Sequence, residues 1–484
     1  MKAIIKTMTV IVITAILSLC KNDKPNPIVN IPDNNFLNVL IDLGVDTNGD
    51  SLISYNEAEE ITFLDISRQK ISDLTGIEHF VNLDSLYCAN NQLTSFDITN
   101  NTVLERLDCS VNQLTTLDVS SNTLLERLDC SVNQLTTLDV SGNTVLERLD
   151  CSMNQLTTLD VSNNTVLERL DCSVNLLTTL NVSKNALLEW LGCEENQITS
   201  LGISNNTILK RLDCSVNQLT TLDVSTNTVL EKLNCTNNHL TALDVSKNNI
   251  LAELYCGENQ LTTLDVSNNT ALEFFWCHYN QLTALDVSNN SLLEGLGCDE
   301  NQLITLDVSK NSSLRILSCS SNQLTTLDVS KNIALVELYC GENQLTTLDV
   351  STNTALEFFW CHYNQLNTLD ISKNSSLRIL GCNSNQLNTL NVSKNIALVE
   401  LYCGENQLTS LAISNNTVLE GLGCERNQLT TLYVSNNTAL RWLRLNYMPT
   451  LTKVCVWEMP FPPFEEFILN TDGSPNVYFT TDCN

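Results

Sequence analysis

A unit of 21 residues repeats along most of this chain. At Leu104 it reads LERLDCSVNQLTTLDVSSNTL, and the same spacing restarts at Leu125, Leu146, Leu167 and Leu188. Written by position the unit is L-x-x-L-x-C-x-x-N-x-L-x-x-L-x-V-S-x-N-x-x, first clear at Leu83 and last opened at Leu440. A fixed period of this size marks a solenoid, in which a unit too small to bury its own apolar stripe is completed by its neighbours. Positions 1, 4, 6 and 11 bracket an extended segment with alternate side chains inward, and no 3.6-residue periodicity is sustained in the array. The expected fold is a solenoid of about 18 coils of 21 residues, rich in parallel β-sheet. Coils about 4.8 Å apart would stack over about 85 Å as a long, gently curved rod.

The segment L-x-x-L-x-C-x-x-N-x-L stands where the leucine-rich repeat family has L-x-x-L-x-L-x-x-N-x-L, and the chain resembles that family over most of its length. The second half of the unit, LTTLDVSSNTL at 114–124, repeats the grammar: Leu117, Val119 and Asn122 echo Leu107, Cys109 and Asn112. Such nested half-units resemble the bacterial repeat class called IRREKO, which implies extended segments on both sides of each coil. Two asparagine ladders follow, one through Asn91, Asn112 and Asn133 to Asn427, the other through Asn101 and Asn122 to Asn437. Turning the chain buries backbone groups, and an amide that both donates and accepts is expected to satisfy them.

The chain carries 55 acidic against 25 basic side chains, the wrong sign for a nucleic-acid partner. Of its 20 cysteines, those from Cys88 to Cys424 recur at the 21-residue period and fill an inward position. A free thiol packs there as a small hydrophobe. Ladder neighbours with parallel Cα–Cβ vectors stand wider apart than the roughly 3.8 Å between Cβ atoms that a disulfide needs. A reduced, buried ladder is expected, with one disulfide, Cys455 to Cys483, outside the period.

The N-terminal MKAIIKTMTVIVITAILSLC pairs two early lysines with an apolar run too short for a membrane span and suited to a signal peptide. Leu17-Ser18-Leu19-Cys20 resembles a bacterial lipobox, with Cys20 as the acylated residue; Leu19 departs from the small residue usual before that cysteine. Lys21-Asn22-Asp23 resembles the export signal of Bacteroidetes lipoproteins. Both imply an exported outer-membrane or cell-surface lipoprotein, touching the membrane only through its lipid anchor.

Residues 31–45 read as a short amphipathic helix with Asp33 as N-cap. The stretch from Asp46 to Glu57 then resembles an EF-hand loop. Asp46, Asn48, Asp50 and Ser54 offer side-chain oxygens, Leu52 a backbone carbonyl and Glu57 the closing carboxylate. Structural Ca²⁺ is the cofactor this implies, bound more weakly because Ser51 replaces the usual glycine; the competing reading is an acidic turn that only caps the solenoid. Ile71, Leu74 and Ile77 look like the opening repeats of internalins. Beyond Leu445 the period is lost and Pro449, Pro460, Pro462 and Pro463 are expected to stop the coiling, leaving Trp457, Phe461, Phe464 and Phe467 to cover the last coil. The expected organisation is a lipoprotein signal peptide at 1–20, a short helical N-terminal cap at 21–61, the solenoid at 62–448 and an irregular C-terminal cap at 449–484. No further anchoring pattern follows in the sequence, which agrees with attachment at Cys20.

Function is expected at outward positions 3, 5, 7 and 8. Arg106, Arg127, Arg148, Arg169 and Arg211 at position 3 alternate with Asp108, Asp129, Asp150, Asp171 and Asp213 at position 5, a pattern expected to form a solvated salt-bridge network, with a binding surface for a charged partner as the alternative. Position 15 holds an acidic row, from Asp97 to Asp160 and from Asp223 to Asp370, whose members repel. From Glu253 the surface turns aromatic: Tyr255, Phe274, Trp276, His278 and Tyr279, then four coils later Tyr339, Phe358, Trp360, His362 and Tyr363, then Tyr402. Exposed rings on a sheet face suit a partner-binding patch. The motif NTALEFFWCHYNQL occurs at both 269–282 and 353–366, so a copied block with a passive surface is the competing explanation.

Catalysis is not expected. In Cys277-His278 and Cys361-His362 adjacent strand residues face opposite sides, and the two histidines stand about 19 Å apart at strand spacing. The reading is a cell-surface binding protein, similar to internalin-type adhesins, recognising a protein on a host or neighbouring cell. The alternatives are a glycan-capturing lipoprotein using Trp276 and Trp360, and a structural spacer.

Overall fold

The computed structural model describes residues 26–483, so Cys20 and the signal-like segment lie outside the described residues. The chain forms two compact units, one ending at Leu177 and one beginning at Thr178. Among the described residues no helix is long and apolar enough to cross a membrane.

The first unit opens on helix α1 (Asn34–Asp42), which buries Phe36, Val39 and Leu40. Asp33 caps it: Oδ1 accepts the N–H groups of Asn35 and Phe36 at 2.8 and 3.2 Å. Its Oδ2 accepts from Ser72 N–H and Oγ–H at 2.8 and 2.9 Å, so one carboxylate ties the cap to the first, divergent coil. Helix α2 (Tyr55–Glu59) follows, held by a reciprocal capping box between Ser54 and Glu57. The strands are β1 (Phe63–Asp65), β2 (Ser85–Tyr87), β3 (Arg106–Asp108), β4 (Arg127–Asp129), β5 (Arg148–Asp150) and β6 (Arg169–Asp171). They pair in parallel, each residue opposite its equivalent one coil on from β2 onward. Ile71, Leu74 and Ile77 are buried beneath them.

Each strand is three residues long because position 8 turns the chain into the left-handed region, at φ 52° for Val111 and 54° for Val132. That conformation is uncommon for a β-branched residue. The ladder holds it, with Val111 N–H donating to Ser131 carbonyl at 2.9 Å. The next residue closes the turn: Asn133 Oδ1 accepts Leu114 N–H at 2.9 Å, while its Nδ2 donates to the carbonyls of Cys109, Cys130 and Ser131 at 3.1 Å. The first asparagine ladder both donates and accepts.

The second ladder differs from expectation. Asn143 Nδ2 donates to the Val119 and Asn122 carbonyls at 3.0 and 2.8 Å, but its Oδ1 is buried with no donor. The nearby N–H groups are already used by the turn itself, that of Leu146 going to the carbonyl of Asn143. This ladder only donates.

In the second unit a parallel sheet runs from Trp190–Gly192 to Ile468–Asn470, again in register coil by coil. Position 4 (leucine, or phenylalanine at 275 and 359) and position 6 (cysteine, then Leu445 in the coil opened at Leu440) are buried throughout, and the cysteines from Cys88 to Cys424 are free thiols. The expected second extended face is realised only in places. Leu180–Asn181 pairs with Leu201–Gly202, Asn391 bridges to Ala412, and Thr431–Tyr433, Lys453–Cys455 and Tyr478–Thr480 form a three-stranded ladder.

Coiling also continues past the point where the prolines were expected to end it. Lys453–Cys455, Ile468–Asn470 and Tyr478–Thr480 all add parallel strands. Pro460, Pro462 and Pro463 fall in the insertion between 455 and 468, where no ladder N–H is needed, so they interrupt the sequence period without interrupting the sheet. Phe461 packs on Trp457, Phe467 and Phe479 at centroid distances of 5.4, 5.1 and 5.0 Å. Cys455 and Cys483 are joined by a disulfide with Cα atoms 5.5 Å apart.

Candidate partner-binding surface

Because positions 1, 4 and 6 point inward, positions 3 and 5 of every strand share the opposite face. In the second unit that face carries the aromatic residues, but they lie down on it. Tyr255, Phe274, Trp276, His278, Tyr339, Phe358, Trp360, His362 and Tyr402 are all half-buried, and only Tyr279 and Tyr363 are mostly exposed, at 56 and 54 %. For the tryptophans and histidines the cause is a glycine one coil away in the same column. A Cβ at Gly297 or Gly381 would collide with the Trp276 or Trp360 ring, and a Cβ at Gly257 or Gly341 with His278 or His362. A strand glycine is costly in backbone entropy, and here it makes room for a ring.

The two copies of the block differ in what continues them. Trp360 covers Gly381 and meets Tyr402, two coils on, at 5.3 Å between centroids and 33° between planes. Tyr402 meets Trp442 at 5.1 Å and 32°, and the Arg444 guanidinium lies 5.4 Å from the Trp442 ring. Two coils beyond Trp276 the equivalent position is Ser318, so that copy has no ring to extend it. Tyr402 Oη donates to Glu400 at 2.7 Å, as Tyr255 and Tyr339 do to Glu253 and Glu337. Burial, reinforced by those carboxylates, pushes each of the three phenols up to about 12, which keeps them neutral donors. Sequence reasoning missed Trp442, which sits in column 3, and Arg444. Reading both columns at a spacing of two coils would have found them.

The Cys277–His278 pair does not assemble. Cys277 is fully buried and burial pushes its thiol up, while His278 covers Gly257 on the outer face.

The Arg and Asp rows also depart from expectation. Among the described residues, no guanidinium of Arg106, Arg127 or Arg148 pairs with these aspartates; lysine and arginine pair elsewhere, as in Lys210–Glu189, Lys232–Glu253, Arg426–Glu405 and Arg441–Glu420. The aspartates turn instead toward position 7, Asp129 Oδ1 accepting Ser131 N–H and Oγ–H at 3.0 and 2.7 Å. A local turn costs less chain entropy than ordering a long arginine.

The stretch from Asp46 to Glu57 follows α1 and runs into the first turn of α2. Ser51 takes φ 65°, supplying the bend for which glycine is usual. Asp46 Oδ1 accepts Gly49 N–H at 2.7 Å and Oδ2 accepts Ser51 N–H at 2.9 Å; Asn48 and Asp50 each accept one N–H at 2.9 Å. These oxygens are hard donors on one exposed loop and keep free lone pairs, as Ca²⁺ requires. Glu57 is committed elsewhere: its oxygens accept from Thr47 N–H and Oγ–H and from Ser54 N–H and Oγ–H at 2.8–2.9 Å. Burial pushes its carboxyl up, but those bonds outweigh burial and lower it to about 2. Asp46, Asn48 and Asp50 thus spend their side-chain oxygens on N–H groups of the loop itself, while Ser54 and Glu57 are engaged with each other and Glu57 also with Thr47. Among the described residues, no three His, Cys, Asp or Glu side chains converge as a ready-made metal cluster.

The chain is similar to the functional domain of InlJ from Listeria monocytogenes, a structure described as including a cysteine ladder. Identity is 31 % over 86 % of this chain and 80 % of that one, with a TM-score of 0.55. It shares its fold with YopM from Yersinia enterocolitica, at 20 % identity over 90 and 97 % of the two chains and a TM-score of 0.57. It also shares it with the plant peptide hormone receptor RGFR1 in complex with RGF2, at 23 % identity over 74 and 65 % and a TM-score of 0.67. No protein-family model and no curated protein sequence matches the chain.

Proposed function

The chain belongs to the internalin-type leucine-rich repeat proteins, and on that premise we propose that it is a cell-surface recognition protein that binds a protein partner through the aromatic face of its second unit. The observation that carries this reading is the run Trp360–Tyr402–Trp442, in which Tyr402 meets both tryptophans and Gly381 and Gly421 leave room for the two indoles. Half-buried tryptophan and tyrosine on a rigid sheet lose little entropy on binding and have the character of interface hot spots. Protein-binding relatives support the class of activity, RGFR1 with its peptide RGF2 among them. The proposal includes export, anchoring by acylation at Cys20 and Ca²⁺ held at the Asp46–Glu57 loop of the N-terminal cap; these rest on the sequence resemblances alone.

The test is binding of the purified chain to host and neighbouring cells, with and without prior protease treatment of those cells, beside a Trp360→Ala/Tyr402→Ala variant. Protease-sensitive binding that falls about tenfold or more in the variant supports the reading. Unchanged binding by the variant would remove the aromatic face as the site. Binding that survives the protease and is reproduced on a glycan array would assign the face to sugar capture.

A further inference from the structure

Two ladders of like charge run side by side on the sheet face of the first unit. Arg106, Arg127, Arg148 and Arg169 lie opposite one another on β3 to β6, and Asp108, Asp129, Asp150 and Asp171 do the same two residues on. Like charges directly opposite one another are destabilising. Arg106, Arg127 and Arg148 make no ion pair among the described residues, and Arg106 Nε is shielded from solvent without a hydrogen-bond partner. The serines at position 7 occupy Oδ1 of Asp108, Asp129 and Asp150, while among the described residues no donor reaches their Oδ2 atoms. Burial above all pushes the Asp129 carboxyl up to about 6; its Ser131 bonds pull against the rise, and Asp150 and Asp108 add to it. In the second unit the same columns are satisfied: Asn234 Nδ2 donates to Asp213 Oδ2 at 2.9 Å, and Lys232 pairs with Glu253 at 2.8 Å.

We propose that this double ladder is a docking strip for a protein helix that carries an acidic row and a basic row along one face. The acidic row would lie over the arginines and the basic row over the free Oδ2 atoms. Charge complementarity and repeat length favour that occupant. Coils recur about every 4.8 Å and helical turns every 5.4 Å, so four successive coils, about 14 Å from first to last, lie along a little under three turns. A uniformly basic or acidic ligand would match one ladder and be repelled by the other. The strip is separate from the aromatic run and independent of the function proposed for it.

Synthetic helical peptides of about four turns provide the probe. One carries glutamates in one row and lysines in the neighbouring row; a second has the same composition with the signs mixed within each row; a third is lysine only. Fluorescence anisotropy at low salt against the full chain should show the two-row peptide binding about tenfold more tightly than either control, with added salt weakening it. Arg127→Gln/Asp129→Asn should abolish that preference, and Trp360→Ala should leave it intact. Equal binding of the three peptides, binding by none of them, or a preference that survives the double substitution would overturn the proposal. The peptide comparison uses the unaltered protein and so does not depend on how the variant folds.

Discussion

Asn181 lies opposite Gly202 in a short parallel ladder on the second face of the coils. Both occupy position 15, which is aspartate in most coils. The other places where this face pairs are Asn391 with Ala412 and the strands beginning at Thr431–Tyr433, again without aspartate at position 15. Where aspartate recurs in consecutive coils, as from Asp223 to Asp370, no ladder forms. In-register carboxylates repel, and that repulsion holds neighbouring segments out of pairing distance. Substituting Asp265→Asn and Asp286→Asn together should let the ladder close, because asparagine keeps the turn: Asn181 Oδ1 accepts Ser183 N–H at 3.1 Å as the aspartates do from their serines. Amide hydrogen exchange at residues 264–266 and 285–287 should slow. Unchanged exchange would mean that repulsion is not what keeps this face open. Net stability is a poor readout here, since the Ser267 bonds hold the Asp265 carboxyl below its ordinary value and favour the charge.

The core was legible because it obeys a period. Leu107, Cys109 and Leu114 repeat every 21 residues, so an inward position in one coil is inward in all. The resting place of the aromatic rings was not legible in the same way. Whether Trp360 stands out or lies flat depends on Gly381, a residue in another coil whose meaning emerges only once the two strands are side by side. The salt-bridge expectation failed for a related reason: charge alternation shows which ions are near, but Asp129 chose the serine two residues on over a long side chain that must be ordered. The final strands escaped notice because the insertion between 455 and 468 shifts their spacing, although Ile468–Asn470 pairs like its predecessors.

Asn248 shows how unequal the two asparagine ladders are. Its Nδ2 donates to the carbonyls of Val224 and Asn227 at 3.1 and 2.8 Å, while Oδ1 has no donor. Asn248→Asp would leave two carbonyls unpaired and place an uncompensated carboxylate in the core, at a cost of about 3–5 kcal/mol. Asn259→Asp strands three carbonyls, those of Cys235, Cys256 and Gly257, but should cost less because Leu240 N–H still reaches the retained oxygen, now at 3.0 Å, and because the site is 8 % exposed where Asn248 is fully buried. Equilibrium urea denaturation of the pair checks the order, and equal losses would contradict the distinction.

Glu57 makes the N-terminal cap sensitive to acid. Its folded-state value of about 2 lies below the ordinary 4.5, so it contributes stability that is present above about 4.5 and lost as pH falls toward 2. Glu57→Ala should destabilise the cap by about 1–3 kcal/mol, the usual range for a lost hydrogen-bonded charge. It should also flatten the acid limb of the cap's stability, measured by amide exchange of residues 34–59. If the loop holds Ca²⁺, added calcium should raise the cap's protection in the native chain and fail to do so in Asp46→Ala.

Gly381 is a test of the ring-over-glycine arrangement. Gly381→Ala would put a Cβ into the Trp360 indole, so the ring must lift, at an overpacking cost of about 1–3 kcal/mol. The contact between Trp360 and Tyr402 would be lost with it. Tryptophan emission should shift toward the red, and partner binding should fall together with that of Trp360→Ala. The same substitution at Gly202, where a Cβ would meet nothing within 4 Å, serves as the control and should change neither.

The cysteine ladder should be chemically silent in the native protein. The thiols from Cys88 to Cys424 are completely buried, and burial raises them, to about 12 at Cys340 and Cys382, so almost no thiolate exists at neutral pH. Parallel side chains at the sheet spacing hold neighbouring sulfurs in contact with the core without bringing them into disulfide geometry. Cys455 and Cys483 are already joined to each other. A thiol-specific reagent should therefore label none of the 17 ladder cysteines of the folded chain, even after long exposure, and all of them once denaturant is added. Stoichiometric labelling under native conditions would mean that coils open individually. The positions labelled first would then identify the weakest interface along the stack.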